Sequence, residues 1–188
     1  MAAGVIIEEN NGSDGLGEPV TFTDKTSGTI RFKNADNSTV DLINPLVVPT
    51  SDTEYSFEKW IRLAIEGPGG FTQIDNLQVY TDGSNTFGAG IKVWYAITGT
   101  YAAPQIPTQT VDPPQSPAVG SPQEDMADLF DLTSGSPGNM DATNTGPFTD
   151  GSPIERVGDW LVMVMEVETG ASNGVLSAET LTFSYDEI

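Results

Sequence analysis

Apolar residues recur at every second position in short runs bounded by Gly, Pro, Asn and Asp, and a period of two is the spacing of strands with one buried face. Val20 and Phe22 form the first pair, and Ile30 and Phe32 follow the turn at 25–28. Val40 and Leu42 carry the pattern more weakly. Pro45 and Pro49 then bracket a stretch that reads as an edge or an extended connection, because proline cannot donate to a ladder. Tyr55, Phe57, Ile61, Leu63 and Ile65 share one parity while Ser56, Glu58, Arg62 and Glu66 take the other, which predicts a strand with one wet face. A helix over 58–66 is the rival, but Thr53, Tyr55 and Phe57 favour strand and the Gly-Pro-Gly-Gly at 67–70 stops the run abruptly.

Ile74, Leu77, Val79 and Tyr80 lead into the turn at 81–85, after which Ile91, Val93, Tyr95 and Ile97 alternate with Lys92, Trp94 and Ala96. These two runs are expected to be neighbouring antiparallel strands joined by a Gly-rich loop. Near the C-terminus Leu161, Met163, Met165 and Val167 form one run, and Leu181, Phe183 and Tyr185 another. The stretch 160–164 is apolar on both parities, which places that strand centrally and under cover on both sides. Between the two halves lie Pro104, Pro107, Pro113, Pro114, Pro117 and Pro122, a composition that prefers an extended path. Ser121-Pro122-Gln123-Glu124 has the form of a helix start, with Met126, Leu129 and Phe130 on one face of about two turns.

The expected fold is therefore all-β: an antiparallel β-sandwich, jelly-roll-like, with a long Pro-rich loop and at most one short helix. Residues 1–188 form one domain, with 1–18 as an extended, flexible N-terminal arm and 104–122 as an extended loop. The abundance of Gly and Pro could suggest disorder, but 37% of residues are hydrophobic and they gather in alternating runs.

Of the 188 residues, 27 are acidic and 7 basic, a formal charge of −20, and there is no Cys or His. Thiol nucleophiles, Ser-His-Asp triads and zinc sites of the Cys or His type are excluded. Sparse positive charge argues against nucleic acid and against anionic membranes. No run approaches the roughly 20 apolar residues of a membrane span, and residues 1–9 lack the features of a signal peptide. After Lys92 only Arg156 is basic against fourteen acids from Asp112 to Glu187, so the acidic half is expected to face solvent and the basic N-terminal half to supply contacts.

Carboxylates are the plentiful reactive groups, and Glu58, Glu166 and Glu168 are the candidates for paired-carboxylate glycosidase chemistry. A solvated strand face is the plainer explanation, and no enzyme activity is expected. The acidic loops 10–18, 75–82 and 141–150 could offer oxygen ligands to calcium, yet none matches a calcium-loop motif, and Asp and Asn are ordinary turn residues. No cofactor or metal is expected. Trp60 and Trp94 fall on the parity opposite the main core, so either the second face is covered by a loop or helix of the same domain, or these rings are contact anchors.

Three blocks, 57–83, 90–104 and 157–188, resemble the β-sandwich virion structural proteins of tailed bacteriophages. The resemblance implies a non-enzymatic particle component: a head decoration or cement protein on the outer capsid surface, assembled in the host cytoplasm and released on lysis. Its partners would be the major capsid protein and further copies of itself, as a homo-oligomer. Interface candidates are Trp60, Trp94, Tyr101, Pro104, Pro107, Pro113 and Pro114. The alternatives are a carbohydrate-binding module stacking glycans on Trp60, Trp94 or Tyr101, and a tail or baseplate spacer.

Overall fold

The computed structural model describes residues 4–40, 42–65, 74–107, 115–120, 123–140, 155–174 and 176–187, with 115–120 and 123–125 described as backbone. The strands are β1 (Val5–Asn11), β2 (Thr21–Asp24), β3 (Thr53–Tyr55), β4 (Lys59–Ile65), β5 (Ile74–Tyr80), β6 (Ile91–Thr98), β7 (Gln115–Gly120), β8 (Gln123–Asp125), β9 (Ala127–Asp128), β10 (Gly138–Asn139), β11 (Glu155–Glu168) and β12 (Thr182–Glu187). The fold is an all-β sandwich in which every pair of named strands is antiparallel. A seven-stranded sheet runs β2-β1-β4-β11-β6-β9, with β3 also on β11, and a smaller sheet runs β10-β5-β12.

β11 is the axis of the large sheet, buried along nearly its whole length as its two-sided apolar sequence requires. Its odd residues Val157, Leu161, Met163, Met165 and Val167 join Ile61, Leu63 and Ile65 of β4 and Ile91 and Val93 of β6 in the main core, closed by Ile74, Leu77 and Val79 of the small sheet. The even residues Trp160, Val162 and Val164 form a second core with Tyr55, Trp60, Tyr101 and Met126 on the opposite face. The large sheet is thus a middle layer with apolar cover on both sides.

Four local expectations change. The run 55–65 is two strands, because Ser56 leaves the ladder: its backbone N–H donates to the Met165 carbonyl at 2.9 Å, and its hydroxyl accepts from Met165 N–H at 3.0 Å. That interruption puts Tyr55 on the same side as Trp60 rather than with Ile61. β5 and β6 are not neighbours; they lie in different sheets, and the chain turns between them through Gly83, Gly88 and Gly90, all at positive φ. The α-helix expected from 121 does not form among the described residues: 123–131 give β8, β9 and a single 3-10 turn at Leu129–Asp131, capped by Asp128 accepting from Phe130 N–H at 2.9 Å. Residues 30–32, Val40 and Leu42 lie in no strand; Ile30 and Phe32 pack as an irregular cover on the main core, while Val40 and Leu42 face outward.

The N-terminal segment 1–18 is not an arm throughout. Val5–Asn11 is an interior strand between β2 and β4. A sequence ending Glu-Glu-Asn-Asn reads as solvated, yet all four are buried: cations from distant segments meet Glu8 and Glu9, and the Asn10 and Asn11 amides donate to the Glu8 carbonyl and to Asp36. Lys59 Nζ lies 2.9 Å from Glu9, Lys25 Nζ 3.4 Å, and Arg156 Nε 2.8 Å from Glu8. The expected loop 104–122 likewise contains β7, which pairs with β8; 108–114 and 121–122 lie outside the described residues.

Candidate functional site: a closed aromatic face and an open apolar edge

The aromatic face is built by the even register of the large sheet, where Val162 opposes Trp60 on one side and Ala96 on the other. Trp60 meets Tyr101 edge-on at 4.9 Å, and Trp160 lies 6.1 Å from Trp60 and 5.0 Å from Tyr101. Edge-to-face contacts at these spacings suit the ring quadrupoles. Arg62 stacks on Trp160 at 4.7 Å, and burial lowers its pKa, opposed first by the nearby Glu18.

The segment after β6 closes this face. Tyr101 Oη donates to the Gly12 carbonyl. Glu58 Oε2 accepts from Trp60 Nε1 at 3.2 Å and from Gln105 N–H at 3.1 Å, while Glu58 N–H donates to the Gln105 carbonyl at 2.9 Å. Burial, then the charges of Asp36 and Glu58, push the Tyr101 phenol above its ordinary range.

Trp60 is fully buried and Tyr101 nearly so, with Pro104 and Pro107 also buried, so these four interface candidates are core residues rather than surface anchors. The physical reason is the second layer: the 101–107 segment lies on the parity that was expected to be wet. Trp94 is half-buried; its indole N–H donates to Glu166, and Lys92 stacks on its ring at 5.6 Å. Pro113 and Pro114 lie outside the described residues. A glycan platform of Trp60 and Tyr101 is therefore shut.

The three candidate carboxylates are occupied. Glu58 holds the aromatic lid, and Lys92 bridges Glu166 at 3.7 Å and Glu168 at 2.9 Å. Of the acidic loops, 141–150 lies outside the described residues; in 10–18, Asp14 is spent on its own turn, accepting from Leu16 N–H at 2.7 Å and Glu18 N–H at 3.2 Å. Among the described residues no three acidic side chains group as a metal site.

The open surface lies elsewhere. Among the described residues, seven of the eight exposed large hydrophobics fall between 16 and 47: Leu16, Val20, Phe22, Val40, Leu42, Ile43 and Val47, with Leu16 88% and Leu42 78% exposed. Val20 lies just before and Phe22 within β2, the terminal strand of the large sheet, and the others lie in the loops on either side of it in sequence. The loop carrying Leu16 is pinned by Asp14 N–H to the Glu18 carbonyl and by Val20 N–H to the Asn11 carbonyl, and runs directly into β2. The loop carrying Leu42 is closed by Asn34 N–H to the Asn44 carbonyl and touches β2 through Ser38 and Thr23, 2.8 Å apart. The signal for it was Leu42-Ile43 followed by Asn44 at positive φ and Pro45, an apolar pair at a turn rather than in an alternating run.

No protein-family model, no curated protein and no solved structure matches the chain. The site is read from its own geometry.

Proposed function

We propose that this protein is a non-enzymatic structural component of a tailed-phage particle, a head decoration protein bound to the outer capsid surface and tying shell subunits together. The observation that carries the reading is the inversion of charge and apolarity between interior and surface. Glu8, Glu9, Lys25, Lys33 and Lys59 are spent inside the fold, while Leu16, Val20, Leu42, Ile43 and Val47 are left outside. Exposed apolar groups gathered in one region belong to proteins that assemble. The buried carboxylates Glu8, Glu9 and Glu166 are each held in an ion pair, which suits a structural rather than an acid–base role.

The test is to purify particles from a lysate of producing cells and image them with antibody against this chain. Regular labelling of the head supports the proposal. Particles free of the chain, with all of it in the soluble fraction, overturn it; labelling confined to the tail reassigns it to a spacer.

A further inference from the structure

We propose that β2 and its two flanking loops dock an apolar patch rimmed by lysine and arginine on the shell protein, an inference that rests on the virion reading above. Three observations converge on this surface. The edge strand Thr21-Phe22-Thr23-Asp24 has no lysine or proline within it, the residues that commonly guard an open sheet edge against added strands. Exposed apolar side chains accompany it: Phe22 within the strand, Leu16 in the loop before, and Leu42 in the 34–44 loop that touches Thr23 through Ser38.

The third observation is charge. Asp14, Glu18 and Asp24 are exposed in β2 and the loop before it, while the nearby bases are turned to internal partners: Lys25 and Lys33 are buried, and half-buried Arg156, stacked on Phe22 at 3.7 Å, is paired with Glu8. Lys25 is held by the carbonyls of Thr29 at 3.2 Å and Ser38 at 2.8 Å and by Glu9, and Lys33 by Asn37 Oδ1 at 3.0 Å, so neither reaches a partner. An apolar centre with an acidic rim is complementary to an apolar centre with a basic rim and repels its own kind. A second copy, at −20 like the first, is disfavoured as occupant.

The two occupants respond to salt with opposite signs. Screening weakens attraction to a basic partner and relieves repulsion between acidic copies. The experiment measures binding of the full chain to capsid shells stripped of it, at about 0.05 and 0.5 M salt, beside sedimentation of the chain alone. The wild type is compared with Leu16→Ser/Leu42→Ser, whose urea midpoint is measured in parallel.

Expected are wild-type binding that weakens as salt rises, at least roughly tenfold weaker binding by the double variant as for loss of anchor contacts, and an unchanged midpoint. Equal binding by variant and wild type overturns the docking surface while leaving the particle reading intact. Binding that strengthens with salt overturns the basic rim. Dimers of the wild type that the double variant abolishes make a second copy the occupant and overturn the proposal. No binding of the wild type overturns the particle reading, and the docking inference falls with it.

Discussion

Gly158→Ala is the most informative single perturbation, because Gly158 sits where the two sheets are joined by backbone. Between Val157 and Leu161 the β11 register shifts against β4, so that Gly158, Asp159 and Trp160 face the single residue Arg62. Gly158 takes φ +70 there. Its carbonyl accepts from Arg62 Nε at 3.0 Å. The bulge frees the next amide to cross the sandwich: Asp159 N–H donates to the Met140 carbonyl, while Met140 N–H donates to the Leu77 carbonyl of the small sheet at 2.9 Å. A Cβ on Gly158 would stand 2.5 Å from the Met140 carbonyl oxygen and closer still to Leu77 Cδ2.

Two costs add. A left-handed residue with a Cβ costs about 1–2 kcal/mol, and forcing a methyl into a filled core costs about 1–3 kcal/mol. The stiffer unfolded chain returns about 0.4–1 kcal/mol. The net loss is roughly 2–4 kcal/mol, which at a urea slope of about 2 kcal/mol per molar lowers the midpoint by about 1–2 M. Two further glycines separate the contributions. Gly88→Ala meets nothing within 4 Å at φ +105, so it carries the backbone cost alone. Gly170→Ala also meets nothing within 4 Å and has no positive φ, so its midpoint should hold or rise slightly. If Gly158→Ala falls no further than Gly88→Ala, the close-packed backbone bridge is refuted.

Lys59→Met leaves buried Glu9 with only the longer 3.4 Å contact to Lys25 and should cost less than the ~3–5 kcal/mol of a fully unpaired buried charge by urea titration; adding Glu9→Gln should recover part of that loss, as a double-mutant cycle would show. The raised Tyr101 pKa means the folded state keeps a proton that the unfolded chain sheds above pH ~10, so stability is full below that value and falls as pH rises beyond it. Tyr101→Phe should therefore flatten part of the alkaline loss followed by thermal melting, with Tyr95 and Tyr185, raised mainly by burial, supplying the remainder. At neutral pH the same change removes the donor to the Gly12 carbonyl and should cost about 1 kcal/mol. Leu42→Ser, at an exposed position, should leave the urea midpoint within about 0.5 kcal/mol of wild type.

Strands β4, β6 and β11 were legible because alternation encodes which face a residue takes, and the apolar stretch 160–164 marks a strand covered on both sides. The second core was legible in principle: Val162 and Val164 belong to a strand expected to be covered on both sides, and Trp60, Trp94 and Ala96 are apolar on the parity opposite the main core. What hid it was that its lid comes from Tyr101 and Pro104, whose proline-rich setting resembles a solvent-exposed connection. β1 was illegible for a different reason. Glu8 and Glu9 look solvated until Arg156 and Lys59 arrive, 148 and 50 residues along the chain, and local pattern holds no record of that pairing.

That same pairing reverses the expected use of charge. Six of the seven basic residues lie in the N-terminal half, and the sequence made them candidates for outward contact. In the fold Lys25, Lys33 and Lys59 are buried, while Arg31, Arg62, Lys92 and Arg156 are half-buried. Lys25, Lys59 and Arg156 neutralise the buried Glu8 and Glu9 and leave the exposed acids uncompensated, so on the docking surface proposed above, attraction would come from basic groups on the partner and from the apolar side chains at Leu16 and Leu42. On the proposed attachment, high salt should release the protein from a particle, and mixing isolated copies at low salt should leave them apart.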